Sequence, residues 1–134
     1  QRGGAAISIQ SPNGVVFDAI VYGEREVTKW MAGSNGFVRT KSFQGTAEKE
    51  AADRPVHVAI VYTKDGVITG YRNGQPYGNP YKSAGLQSYD ESAVVTFGLR
   101  HLPAGGSKHL KARIMQAQLY DFALSPAAVA APQS

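Results

Sequence analysis

Apolar and polar residues alternate with a period of two through most of this chain. The clearest stretch is residues 56–78, VHVAIVYTKDGVITGYRNGQPYG. Val56, Val58, Ile60 and Tyr62 fall on one face of a β-branched run, the pattern of a half-buried strand. Asp65-Gly66 predicts a two-residue turn whose central positions accept positive φ. Residues 67–72 form the next strand, and Asn73-Gly74 turns the chain again. Such dipeptides between alternating runs are the strongest short-range hairpin signal. Upstream, residues 5–10 predict a first strand and Ser11-Pro12-Asn13-Gly14 a turn. Residues 15–22 predict a second strand, with Phe17, Ala19 and Val21 on one face and Asp18, Ile20 and Tyr22 on the other. Residues 29–32 and 37–40 read as short strands around Gly33-Ser34-Asn35-Gly36, and residues 93–100 as a further one.

Residues 110–124 are long enough for one bent strand. Leu110, Ala112 and Ile114 keep one phase; Met115, Ala117 and Leu119 take the other. A one-residue slip exchanges the buried face, so the pattern predicts a bulge near Ile114-Met115 or a strand buried on both faces. Two segments read as helical. Residues 45–54 (GTAEKEAADR) are rich in Ala, Glu and Lys and stop before Pro55. Ser125-Pro126 before Ala127-Ala128-Val129-Ala130 fits an N-cap serine with proline in the first turn.

Composition sharpens the fold class. Fifteen glycines and seven prolines punctuate short apolar runs, which predicts an all-β antiparallel sandwich with one or two short helical turns. A chain of 134 residues is a single domain, 1–134, large enough to bury a core without staples. The absence of cysteine removes disulfide and thiolate chemistry and suits the cytosol or export equally. No apolar run approaches the roughly 18 residues of a membrane span, and Gln1-Arg2-Gly3-Gly4 looks like a cut within a longer protein. The net charge of +4 is lopsided: between Glu91 and Asp121 there is no acid, while Arg100, Lys108, Lys111 and Arg113 fall there with His101 and His109. That stretch is either a solvated edge or a patch attracting sulfated or uronic-acid glycans or nucleic acid.

At this point the residues resemble a family. His57-Val58-Ala59 through Tyr62, Asp65-Gly66, Tyr71-Arg72-Asn73-Gly74 and Gly78 resemble the central hairpins of laminin G-like, concanavalin A-like jelly-roll domains. Phe97-Gly98, and Ala117 to Asp121 followed by Ala123-Leu124-Ser125, resemble the later strands and the closing short helix. Phe17–Glu24, Trp30–Ser34, Arg39-Thr40 and Phe97–His101 are similar to a bacterial subset found in large exported proteins. The resemblance implies a two-sheet jelly roll, a carbohydrate-binding or adhesion role and an extracytoplasmic (periplasmic or cell-surface) location. The family has an earlier strand that does not precede Gln1 here, so N-terminal strands are missing or supplied by another chain through strand addition. Gly70 and Arg72 stand where the family favours aliphatic residues, and a buried Arg72 there needs a carboxylate partner.

Glycosidase chemistry needs two carboxyls flanking the bond. The nearest pattern, Glu48-x-Glu50-x-x-Asp53, reads as a polar helix face without an aromatic platform, so the chain is expected to be no enzyme, with a degenerate glycosidase as the remote alternative. Asp18 is expected to pair with Arg39 or Arg100. His57 matches the family's second histidine, which implies a hydrogen bond within the core. His101 and His109 lack a third ligand at zinc spacing. No cofactor is expected; calcium is possible from the resemblance, though no acidic D-x-D-x-D loop exists. No Ser sits in G-x-S-x-G.

Aromatics carry the functional expectation. Sugar rings lay C–H faces on Trp or Tyr while Arg and Asn fork onto hydroxyls. The candidate carbohydrate-binding rings are Trp30, Tyr77 and Tyr81, with Tyr89 near them in sequence. The polar contacts are Arg72, Asn73, Arg100 and His101. The competing reading makes Trp30 a core cap and the tyrosines loop anchors. Expected partners are a carbohydrate, anionic polysaccharide included, or neighbouring domains of the parent protein docking on an exposed edge strand. Nucleic acid is disfavoured because the basic stretch lacks interleaved aromatics.

Overall fold

The computed structural model describes residues 3–102 and 109–131. Two antiparallel sheets pack face to face. The first contains β1 (Ala5–Gln10), β2 (Phe17–Tyr22), β3 (Trp30–Ser34) and β8 (Val94–Phe97), in the order β3-β2-β1-β8. The second contains β4 (Val58–Tyr62), β5 (Val67–Arg72) and β6 (Gln75–Pro76) in that order, with β7 (Tyr81–Lys82) also pairing with β5. One short helix, α1 (Pro126–Ala130), closes the described chain. This is the antiparallel two-sheet sandwich that the sequence predicts.

Both turn dipeptides do their work, one of them differently from expectation. Asn73 (φ 49°) and Gly74 (φ 80°) make a two-residue turn that pairs Arg72 with Gln75. At Asp65-Gly66 only Gly66 takes positive φ. Thr63 N donates to Val67 O at 3.0 Å, so the loop holds three residues, 64–66, and closes through a glycine in the left-handed region.

Alternation assigns the faces. Register pairs Tyr22 with Trp30, Ile20 with Ala32 and Asp18 with Ser34, so these six share one face of the first sheet. That face meets the second sheet: Ala32, Phe43, Ile68 and Tyr77 form one buried cluster, with Trp30, Ile60, Tyr62 and Tyr81 packed against it. Phe17, Ala19, Val21 and Met31 form a separate cluster with Ala5 on the reverse face. Val61, Tyr71 and Val129 make a third, bringing α1 onto the outside of the second sheet. Ser125 Oγ accepts from Ala128 N at 3.1 Å, the cap its sequence predicts.

Several expectations are corrected. The second strand starts at Phe17, not Val15, because Ser11 N bonds to Val16 O and the turn lasts that long. The third strand runs on to Ser34, and residues 37–40 form no strand: a 3-10 turn at Asn35–Phe37 leads out of β3. Residues 45–54 are not a helix. Glu48 N bonds to Thr28 O, and only Asp53 and Arg54 turn back onto Glu50 O; the contacts of Glu48 outweigh the local helix propensity. Residues 110–124 form no strand, so neither the bulge expected near Ile114-Met115 nor the alternative of a strand buried on both faces is found; a register irregularity occurs in β1, between Ala5 and Ile7. Ile114, Met115, Leu119, Tyr120 and Phe122 are exposed; strand alternation alone does not form a strand without a regular cross-strand ladder.

Candidate functional site

Two long connections set up the site. After β3, residues 39–48 return alongside this edge strand and place Phe43, 1% exposed, between the sheets. Gly70 on β5 is where that ring fits: a Cβ there would stand 3.0 Å from Phe43. The same segment delivers Glu48 to the gap between β3 and β5.

Glu48 is the centre of the site. Its Oε1 accepts from Trp30 Nε1 and from Arg72 Nε, both at 2.8 Å. Its Oε2 accepts from Arg72 Nη2 at 2.8 Å and from Glu50 N at 3.0 Å. The carboxylate required by Arg72 is therefore Glu48, held in a bidentate fork. Those Arg72 bonds outweigh the effect of burial and hold the Glu48 carboxyl down at about 2. The Glu48 side chain is 2% exposed and Arg72 23%. Trp30 is half-buried, and its ring lies 5.1 Å from that of half-buried Tyr22 at 57°. Glu50 flanks the pair, 3.9 Å from Arg72 and 47% exposed. The result is a tilted aromatic pair beside a fixed ion pair at the sheet edge.

The other expected contacts disperse. Tyr77 is buried; its hydroxyl donates to Thr46 O and accepts from Trp30 N. It braces Trp30 from inside. Half-buried Tyr81 donates to Arg39 O at 2.7 Å, and Tyr89 donates to Asp18 Oδ2 at 2.8 Å. All three tyrosines anchor loops. Asn73 stays in its turn, where Oδ1 accepts from His57 N at 2.9 Å. His57 is exposed one residue before β4, so its implied place in the core is not what the structure shows.

Arg100 and His101 lie on the reverse face of the first sheet. Arg100 Nη1 contacts both Glu24 oxygens at 3.0 Å, and its guanidinium lies 5.7 Å from the Phe17 ring. His101 packs 5.0 Å from the same ring. Strand alternation puts Phe17 opposite to Trp30, so these two do not share a cleft with it. Arg100 Nε and His101 Nδ1 are buried without a hydrogen-bond partner among the described residues.

Asp18 takes Arg39, one of its two expected partners. Arg39 Nε donates to Asp18 Oδ1 at 2.8 Å, and Arg39 Nη2 reaches Phe17 O and Asn35 Oδ1. Burial raises the Asp18 carboxyl pKa, and the bonds from Arg39 and Tyr89 oppose that rise. Burial likewise raises Tyr89, helped by the adjacent Asp18 charge. Among the described residues, no group of three His, Asp or Glu side chains converges on one point. Tyr22 and Glu48 are site residues that sequence reasoning missed: the alternation of Tyr22 was visible but its register against Trp30 was not, and Glu48 read as part of a polar helix face.

Strand order, inter-sheet core and closing helix together define a concanavalin A-like sandwich. The sequence model of the concanavalin A-like lectin/glucanases superfamily, of laminin G type, matches residues 2–130, and the chain belongs to that family. No curated protein and no solved structure is similar enough to the chain to count as a match. No helix among the described residues is long and apolar enough to cross a membrane.

Proposed function

We propose that this domain is a non-catalytic carbohydrate-binding or adhesion module of a larger, extracytoplasmic protein. The supporting observation is the half-buried Trp30–Tyr22 pair beside the Arg72–Glu48 fork. The rings offer an apolar face for sugar C–H groups, and Arg72 and Glu50 offer charged partners for hydroxyls at its margin. The indole N–H is committed to Glu48, which fixes ring orientation before a ligand arrives. A carboxyl held at about 2 is ionised at neutral pH, and a general acid must carry a proton there; Glu48 is poorly suited to be the general acid of a glycosidase.

A second reading has its own observation. β8 carries exposed Val94, Val95 and Phe97 and pairs on its outer side with no further strand among the described residues, and an edge strand can accept a strand from a neighbouring domain. One experiment separates the two. Trp30 is the sole tryptophan, so glycans selected on an array are titrated against its fluorescence. Carbohydrate binding predicts a saturable change that Tyr22→Ala and Arg72→Ala weaken about tenfold, the loss of roughly 1.4 kcal/mol. No response to any glycan, with β8 amides perturbed by an adjoining domain, supports strand docking instead.

A further inference from the structure

A half-open depression of about 140 Å³, with Gln87, Ser88, Asp90 and Ser92 exposed around it, lies between the β1–β2 turn and the loop leading into β8. It lies at the Phe17 end of β2, whereas Trp30 pairs with Tyr22 at the other end. Five residues of strand, roughly 17 Å at about 3.3 Å each, separate those ends. Ser11, Gln87, Ser88, Asp90 and Ser92 form its polar wall. Pro12, Val16, Ala93 and Tyr89 complete the lining.

The lining restricts the ligand. It contains no Lys or Arg, which disfavours phosphate, sulfate or a uronic acid. It contains one carboxylate, too few for a divalent cation held by protein oxygens. Hydroxyls and an amide both donate and accept, and an ionised carboxylate accepts two neighbouring O–H groups. Small apolar walls suit C–H edges. The volume equals about five waters at roughly 30 Å³ each, the scale of one six-membered ring.

The wall is set in advance. Asp90 Oδ1 accepts from Ser92 N at 2.8 Å, Ser11 Oγ accepts from Val16 N at 3.2 Å, and Tyr89 ties the loop to buried Asp18 at 2.8 Å. We infer that this depression binds one neutral, polyhydroxylated ring, a monosaccharide unit, at a site separate from the Trp30 cluster. The choice of a sugar rests on the function proposed above.

The test is an amide chemical-shift titration of the ¹⁵N-labelled chain with glucose, galactose, mannose and N-acetylglucosamine. The expected result is saturable shifts confined to residues 11–16 and 87–93. Asp90→Asn and Gln87→Ala should each weaken them about tenfold, with circular dichroism and thermal midpoint unchanged. Undiminished binding in both variants overturns the assignment. Shifts confined to residues 22–30 and 48–72 overturn this site but leave the proposed function standing. No shift with any sugar, together with no array hit, overturns both.

Discussion

Arg72 illustrates how one residue type in an unusual place carries information. A cation on a strand facing a sandwich interior demands an anion, and Glu48 answers with two 2.8 Å bonds. The partner's identity was invisible locally, since residues 45–54 carry a helical composition that hides an inward-turning side chain. The energetic consequence is pH dependence. The folded-state pKa of Glu48 lies below its ordinary 4.5, at about 2, so its contribution is present above pH 4.5 and is lost as pH falls toward 2. Asp18 has the opposite sign: its raised pKa favours the protonated folded form, so stability declines as pH rises from 3.8 to the folded value. Urea unfolding of wild type against Glu48→Gln should therefore show the Glu48 contribution being lost between pH 5 and 2, with Asp18 opposing it in both proteins. Glu48→Gln should flatten the pH slope there and cost roughly 2 kcal/mol at pH 7, leaving Arg72 without its counter-charge. An unchanged slope would remove Glu48 from this role.

At the scale of elements, segments that join a regular ladder were legible and segments that join none were misread. Residues 5–10 and 67–72 form with the predicted bounds because each has ladders on both sides. Residues 110–124 carry a comparable alternation yet form no strand, and their large apolar side chains lie exposed. The closing helix was readable because its cap is local: Ser125, Pro126 and three alanines need only each other, and Val129 then docks on Val61 and Tyr71. Hydrogen exchange should separate these cases. Amides of β1 and β2 are expected to be protected several orders of magnitude beyond those of residues 117–123, which have no ladder to shield them. Equal protection would mean that the segment is paired in solution.

For the whole molecule, the stabilising interior is apolar and hydrogen-bonded, with Phe43 wedged between the sheets and no three-carboxylate or histidine cluster among the described residues. Calcium at millimolar concentration, or EDTA, is accordingly expected to leave the thermal midpoint unchanged; a rise of several degrees with calcium would identify a site by mass action. What the chain alone determined is its local grammar: period-two alternation, turn dipeptides, the capped helix and the all-β class, all set by neighbours within a few residues. Only the tertiary structure decided which faces meet. It sent Arg100 and His101 to the side opposite Trp30, drew Tyr77 inward, and brought Tyr22 and Glu48 to the tryptophan. The physical reason is that strand register and loop return paths are chosen by long-range burial and charge pairing, which join residues such as Glu48 and Arg72 that sequence spacing does not connect.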